Sequence, residues 1–238
     1  MLLNRPEGVR VQDGLGHYTP PPSAAAGGPI ALISNTGAGS SDGGNSVTTG
    51  AIDTSGASLL VAVVADYAPE VLSVVTDSKT NVWVPLTSSD SGSPRCTIFY
   101  VANPTVGTNH TFSATEAINN TYPSICVAAF SNVATITPFD QQNGNDSGEV
   151  TASQLTTGSI TPGENNEVLI AGVAVDDVVT LTIDGGFTIT NQVSHLVDEH
   201  FGMGMAYLIQ TTAAAANPLW DWTGNVLVAA RIASFKES

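Results

Sequence analysis

Two stretches of the sequence are apolar at consecutive rather than alternate positions. They read SLLVAVVADY at 58–67 and EVLIAGVAVDD at 167–177, and each follows a similar phrase, TTGAIDTSG at 48–56 and TTGSITPGE at 156–164. Neighbouring side chains of a β-strand point to opposite faces, so both faces of these strands are apolar. An ordinary antiparallel sandwich leaves one face of each sheet in water. We therefore expect a second layer over these strands, supplied by the other half of the chain or by a neighbouring subunit.

The two apolar runs belong to a longer internal repeat. The segment IFYVANPTVGTNHTFSAT at 98–115 parallels MAYLIQTTAAAANPLWDWT at 205–223, and the separation between matching segments stays nearly constant. Two copies are too few for a solenoid. We interpret the pattern as an internal duplication of a seven-strand unit, with pseudo-repeats at 47–133 and 156–236.

The pattern after residue 30 predicts an all-β fold. Val, Ile, Thr and aromatic residues alternate with clusters of Gly, Asn, Asp and Pro, which is typical of a sandwich or barrel of short antiparallel strands, here about 14 of them. We interpret the polar segment 137–155 as a linker or a loop, and the alanine run 213–216 as a turn or one short helical stretch. The predicted strands are 47–53, 58–66, 71–76, 82–87, 96–102, 110–115, 124–131, 156–160, 167–176, 179–184, 187–193, 203–210, 219–223 and 226–235.

We expect residues 1–29 to form an N-terminal arm with a Pro/Ala/Gly linker and residues 30–238 to form the sandwich. Residues 1–22 are interpreted either as a disordered tail or as an anchoring arm that orders on a partner. One large sandwich is favoured over two tandem sandwiches of immunoglobulin size, because the two-sided apolar strands need a covering layer. Pro20 to Pro22 favour an extended linker. The arm carries apolar and basic side chains that a solvating tail does not need. Its predicted attachment residues are Leu2, Leu3, Arg5, Val9, Arg10, Val11, Leu15 and Tyr18.

The charge balance excludes several partners. The chain has 6 Lys and Arg against 21 Asp and Glu, which gives a net charge of −15. Nucleic acid binding needs a basic surface, and anionic membranes repel an acidic one. The N-terminus has no apolar core of signal-peptide length, and no segment approaches the ~20 apolar residues of a membrane helix. We expect a protein made in the cytoplasm, with no nucleic acid, membrane or cofactor partner.

The residue patterns that could carry chemistry are weak. Cys96 and Cys126 lie in apolar runs and are interpreted as small buried hydrophobes, although a disulfide remains open. The segment GSSDG at 39–43 fits G-x-S-x-G, but it lies in a Gly/Ser-rich loop rather than between a strand and a helix. The polar segment HLVDEH at 195–200 is interpreted as a solvated loop. Asp184 and the VDD motif at 175–177 could offer oxygen ligands to Ca²⁺, but no known loop signature supports a metal site.

Enzyme activity is not predicted. A glycoside hydrolase would require two convergent acids in a cleft, and the sequence shows no clustering of acids with aromatic residues. Trp220 and Trp222 lie two residues apart, so they share one face of a strand. They are interpreted as core residues or as a glycan-stacking platform, and an exposed face would distinguish the second reading.

Several phrases in combination resemble a module of tailed-phage virion proteins, with a jelly-roll or concanavalin-like β-sandwich. They include AIDTSGASLLVAVVADY, VTDSKTNVWVPLT, YPSICVAAFSNV and AYLIQTTAAAANPLWDWT, and the resemblance covers 31–238. It implies a jelly-roll-like fold and a virion structural protein, such as a capsid decoration or cement protein or a head-fibre subunit. The implied partners are the major capsid protein or another virion protein. The strands that are apolar on both faces also favour a homo-oligomer, for example a trimer.

The alternative implied function is a carbohydrate-binding module for host-surface glycans at a fibre tip. None of the phrases is a catalytic motif, so no functional residue can be transferred from the resemblance. The expected location is the virion, reached without a signal peptide because virions assemble inside the host cell.

Overall fold

The computed structural model describes residues 28–40, 44–67, 73–118, 121–195 and 201–238. These residues form 17 strands, all paired antiparallel, and contain no α-helix. Within them, therefore, there is no helix of the kind that crosses a membrane. The strands of the first half are β1 (Ala31–Gly39), β2 (Ser46–Thr48), β3 (Leu59–Asp66), β4 (Val74–Asp77), β5 (Val84–Pro85), β6 (Ser89–Asp90), β7 (Arg95–Ala102), β8 (Phe112–Thr115) and β9 (Ser124–Ser131). Those of the second half are β10 (Phe139–Asp146), β11 (Ala152–Thr156), β12 (Glu167–Val175), β13 (Thr182–Ile183), β14 (Thr188–His195), β15 (Phe201–Gln210), β16 (Leu219–Val226) and β17 (Val228–Phe235).

The strands form four sheets that stack in four layers. The N-terminal half, β1 to β9, contributes an inner sheet of order β1-β9-β3-β7-β5, with β6 beside β7, and an outer sheet of order β2-β8-β4. The C-terminal half, β10 to β17, contributes an inner sheet of order β10-β17-β12-β15-β14 and an outer sheet of order β11-β16-β13. A central core lies between the two inner sheets, and each half has its own core between its inner and outer sheets.

This stacking explains the strands that are apolar on both faces. In β3, Leu59, Val61 and Val63 lie in the central core, while the alternate residues face the outer sheet of the same half. In β12, Val168 and Ile170 lie in the central core and the alternate residues again face outward. The covering layer is therefore the other half of the same chain. The two-sided strands no longer argue for a trimer, and the oligomeric state stays a prediction.

The two halves have the same strand order when β1, β2, β3, β4, β7, β8 and β9 are matched to β10, β11, β12, β13, β15, β16 and β17. An isolated bridge recurs as well, between Ile52 and His110 in one half and between Ile160 and Ala216 in the other. The internal duplication stays a prediction that this correspondence supports. The jelly-roll assignment also stays a prediction, whereas the all-β sandwich is confirmed.

The prediction of a linker or loop at 137–155 is wrong, because this segment contains β10 and β11. Strand β10 pairs only with β17 and lies at the edge of its sheet, and most of its residues are half-buried or exposed. Such a strand needs few apolar residues, so its sequence resembles that of a loop. Strand β1 was missed for the same reason. The alanine run 213–216 is not helical, since Ala216 bridges to Ile160.

A buried arginine joins the two halves at their seam. Arg231 on β17 donates from Nη1 to Ser89 Oγ at 3.3 Å and from Nη2 to Gln142 Oε1 at 2.8 Å. The backbone N–H of Thr87 donates to the same Gln142 oxygen at 3.0 Å. The side chain lies directly over Gly144, where a Cβ atom would overlap the guanidinium group. Polar contacts thus fix the relative position of the halves alongside the central core.

The N-terminal linker joins the body beside the C-terminus. Asn132 Nδ2 donates to the carbonyl of Pro29 at 2.8 Å, and the N–H of Ser238 donates to the Asn132 carbonyl at 3.0 Å. Leu59 pairs with Phe130 at this end, whereas Asp66 lies at the other end of β3, which we call the distal end. The arm lies outside the described residues, and so do its predicted attachment residues, Leu2, Leu3, Arg5, Val9, Arg10, Val11, Leu15 and Tyr18.

Candidate functional site

Four polar side chains meet at the distal end of the N-terminal half, and we call them the acid cluster: Asp66, Ser73, Arg95 and Glu116. Asp66 is the last residue of β3 and pairs in register with Arg95, the first residue of β7. Ser73 precedes β4 and Glu116 follows β8, which neighbours β4 in the outer sheet. All four are buried, with exposed fractions of 2% to 4%.

The acid cluster contains two carboxyl groups and one guanidinium group. Arg95 Nη2 lies 2.7 Å from Asp66 Oδ1 and 3.6 Å from Glu116 Oε1. The Ser73 hydroxyl lies between the two acids, at 2.5 Å from Asp66 Oδ2 and in hydrogen-bond contact with Glu116 Oε1. Among the described residues, Glu116 Oε2 has no hydrogen-bond partner.

Burial makes the two acids titrate abnormally. Removal from water raises the pKa of Glu116 to about 8, and the hydrogen bond and negative charge of Asp66 add to this rise. Burial also raises the pKa of Asp66, although hydrogen bonds from Glu116 and Arg95 oppose the rise. At neutral pH, Glu116 is therefore the protonated partner, and Asp66 is the partner that pairs with Arg95.

The C-terminal half carries apolar residues at the positions that match the acid cluster. Val175 and Gly202 pair at the end of β12 and β15, where Asp66 and Arg95 pair at the end of β3 and β7. Leu181 precedes β13 as Ser73 precedes β4. The first residue of β4 pairs with Thr115 and the first residue of β13 pairs with Asp221, so the residues that follow these two, Glu116 and Trp222, match.

The comparison between the halves bears on why the cluster exists. A buried ion pair is often no more stable than apolar residues of similar volume. Since the same sheet positions are filled by apolar residues in the C-terminal half, the fold does not require the charged version. Buried acids with raised pKa values are candidates for a functional role. The acid cluster is therefore the candidate site.

A surface recess of about 250 Å³ reaches the cluster from the side. Ser73 lies at one edge of the recess, and the remaining lining is mostly apolar: Val74, Val75, Trp83, Pro85 and Phe99. The recess opens between the edge strands β4 and β5. In this conformation the two acids are buried, so a molecule in the recess would contact Ser73 but neither carboxyl group.

A second polar centre has the composition of a catalytic triad. The Thr54 hydroxyl lies 2.9 Å from His110 Nδ1, and His110 Nε2 lies 3.2 Å from Asp77 Oδ1. However, Thr54 and His110 are fully buried, and the Thr54 oxygen also accepts a hydrogen bond from the N–H of Gly107. These contacts tie three turns together at one end of the outer sheet, which is a structural role.

Asp77 anchors this second centre. Burial alone would raise the pKa of its carboxyl group, but hydrogen bonds from the Lys79 N–H, the Trp83 indole and the Asn81 amide hold the pKa below its ordinary value. Trp83 Nε1 donates at 2.8 Å. Because Trp83 also lines the recess, Asp77 fixes the orientation of one wall of it.

The predicted tryptophan pair lies in the core. Trp220 is fully buried and Trp222 is 5% exposed, both between the inner and outer sheets of the C-terminal half. Trp222 Nε1 donates to the Ala152 carbonyl at 3.2 Å. The exposed face that a glycan-stacking platform requires is absent at these two residues, so the pair no longer supports a glycan-binding function. Cys96 and Cys126 are buried free thiols, as their apolar surroundings predicted.

The carboxylates of the remaining candidate calcium site accept backbone hydrogen bonds, and the other predicted segments lie partly outside the described residues. Asp176, Asp177 and Asp184 each accept a backbone N–H, from residues 227, 178 and 219. Within the described part of the chain, no group of three or more His, Cys, Asp or Glu side chains is placed to hold a metal ion. Residues 41–43 of the G-x-S-x-G segment and 196–200 of the polar segment lie outside the described residues.

Sequence reasoning missed the acid cluster, since its members are dispersed over fifty residues of chain. One signal was present: Asp66 ends an apolar strand that is otherwise buried on both faces. No family model matches the chain, and neither the curated proteins nor the solved structures gave a match.

Proposed function

We propose that the protein is a non-enzymatic structural subunit of a phage virion, a capsid decoration, cement or head-fibre protein anchored by its N-terminal arm. The observation that carries the proposal is the place where the linker joins the body. Pro29 and Ser238 meet at Asn132, at one end of the four-layer body, and the acid cluster lies at the other. An arm attached there would hold the body end-on, with the distal end directed away from the particle.

The distribution of basic residues also supports attachment through the arm. Of the six Lys and Arg residues, Arg5 and Arg10 are in the arm, and Arg95 and Arg231 are buried in the body. The surface of the body is therefore strongly acidic and repels nonspecific partners. A basic, apolar arm can instead pair with an acidic patch on the major capsid protein or another virion protein.

The layered packing of the body also supports the proposal. Three cores in four layers bury most of the apolar side chains of the described strands, and the acid cluster and the Thr54–His110–Asp77 centre are closed to solvent. Such a body suits a load-bearing or spacing role on a particle surface.

The test is deletion of residues 1–22. The shortened protein should remain folded, with an unchanged urea midpoint, and should no longer bind particles that lack the native subunit. A control with the same arm composition in scrambled order separates sequence-specific attachment from simple tethering by charge. If the shortened protein occupies particles as fully as the intact chain, the attachment surface lies on the sandwich and the proposal fails. Sedimentation of the intact protein tests the predicted homo-oligomer in the same preparation.

A further inference from the structure

We propose that the acid cluster is a proton-controlled latch, in which one proton shared between Asp66 and Glu116 keeps the distal end of the N-terminal half closed. This inference is independent of the proposed virion role. It concerns a property of the body alone, and its test needs no particle.

The first argument is a count of hydrogen atoms. Ser73 Oγ is within hydrogen-bond reach of a carboxyl oxygen of each acid, yet a hydroxyl group has one hydrogen to donate. Both contacts are favourable only if one acid is protonated and donates to the serine oxygen, which then donates to the other acid. The arrangement therefore holds one proton more than two ionised carboxylates would.

The second argument is charge. Arg95 is the cation that faces both acids, and it lies closer to Asp66. One ionised acid balances one guanidinium group, so the closed cluster is neutral. If Glu116 loses its proton, two negative charges face one positive charge at a site removed from water, and such a site opens rather than stays dry.

The described residues around the cluster offer little further positive charge to compensate a second ionised acid. From the C-terminal half, the cavity beside Asp66 is lined by apolar Ala174, Val175 and Phe201. On the N-terminal side, Asp90 on β6 pairs in register with Arg95, which adds an acid rather than a base. The rings of Tyr67 and Tyr122 both contact Phe201 near the same end.

The third argument is the matched position in the other half. Val175, Gly202, Leu181 and Trp222 stand in place of the four polar residues, so the C-terminal half has no titrating group at these four positions. Opening would thus be confined to the N-terminal half. It would open the adjoining recess onto the two acids and release neighbouring hydrogen bonds, such as that from the Tyr67 N–H to the Thr121 carbonyl at 2.9 Å.

The pH dependence follows from the direction of the shift. The pKa of Glu116 is about 8 in the folded protein, against an ordinary value of 4.5. The stability that the protonated group contributes is complete below the ordinary value and is lost as the pH rises to about 8. In this interval the unfolding constant rises by up to about tenfold per pH unit because of this group, and it levels off above pH 8.

The experiment compares the wild-type protein with Glu116→Gln, which keeps the shape of the protonated acid and cannot ionise. Urea unfolding at pH 5, 6, 7, 8 and 9 gives the ratio of the two unfolding constants, from which the titrating groups that do not interact with Glu116 cancel. We expect this ratio to change at least tenfold in favour of Glu116→Gln between pH 5 and 8. An exposed acid, Glu149→Gln, is the control and should leave the ratio near one throughout. A ratio for Glu116→Gln that stays constant with pH would overturn the proposal.

A second readout separates the latch from a general effect on stability. Hydrogen exchange of the Tyr67 amide, corrected for the intrinsic rate, should accelerate between pH 5 and 8 and level off above pH 8 in the wild-type protein, and should not do so in Glu116→Gln. Asp66→Asn removes the competing charge, so Glu116 should then titrate at a lower pH beside Arg95, as seen by carboxyl-carbon NMR. If Glu116→Gln does not fold, the change in the Glu116 titration caused by Asp66→Asn tests the proposal instead. An unchanged Glu116 titration in Asp66→Asn would show that the acids share no proton.

Discussion

Gly172 lies in the middle of β12, where the two halves approach each other closely. A Cβ atom there would lie 2.6 Å from Val63 Cγ1, 3.1 Å from Val63 Cγ2 and 3.2 Å from Cys96 Sγ. Val63 is the matching residue of β3 and is fully buried. The substitution Gly172→Ala therefore forces a methyl group into a filled seam between the central strands of the two inner sheets.

The expected destabilisation is the difference of two terms. Overpacking a filled core costs about 1–3 kcal/mol. Replacing glycine within a strand recovers roughly 0.5–1 kcal/mol of backbone entropy. We expect Gly172→Ala to lower the free energy of unfolding by about 1–2 kcal/mol. Gly50→Ala is the control, because no atom lies within 4 Å of its Cβ position and its φ is not positive. It should be neutral or slightly stabilising.

The assay is urea unfolding of four proteins: the wild type, Gly172→Ala, Val63→Ala and the double variant. Val63→Ala alone removes two methyl groups from the seam and should lower stability by about 2 kcal/mol. In the double variant the new methyl group occupies part of that space, so the combined loss should be smaller than the sum of the single losses. If the effects are additive, or if Gly172→Ala behaves like Gly50→Ala, the halves do not meet as closely as described and the reasoning fails.

Three further predictions concern groups away from this seam. Thr54→Val should lower the free energy of unfolding by about 2–3 kcal/mol in a urea titration, because it leaves the Gly107 N–H without the hydroxyl that it donates to, and Thr54→Ser should keep most of the stability. Burial raises the pKa of Glu167, so the stability that the protonated acid contributes is lost as the pH rises. The urea midpoint of Glu167→Gln minus that of the wild type should therefore be larger at pH 7 than at pH 5, and equal differences at both pH values would contradict this. Burial raises the pKa of Cys96 to about 12 and that of Cys126 still further, so a thiol reagent at pH 8 should label both thiols only after unfolding, and rapid labelling of the native protein would show that the central core is open.

The sequence by itself determined the class of fold. Consecutive apolar residues at 58–66 and 167–175 are compatible with strands that are covered on both faces, and the repeat of turn phrases placed matching strands in the two halves. The cysteines were assigned to buried positions because their neighbours are apolar. Such local patterns survive folding, since the alternation of side chains along a strand does not depend on what covers it.

The edge strands and the polar contacts between strands could not be predicted from the sequence. Strand β10, in FDQQNGND, is held by the ladder that it forms with β17 and by little apolar burial, so its residues alone do not distinguish it from a loop. The pairing of Asp66 with Arg95 depends on register, and one residue of slip would turn each to the opposite face.

Only the tertiary structure decided what covers the two apolar faces, and with that the character of the distal end. A neighbouring subunit and the other half of the chain offer the same chemistry to Val61 or Ile170, because burial of apolar surface is not directional. In the structure the two inner sheets stack on each other, so the other half of the chain covers these faces. It also brought Glu116 from the outer sheet to within hydrogen-bond reach of Ser73, where the removal of water, rather than any local sequence, raises its pKa.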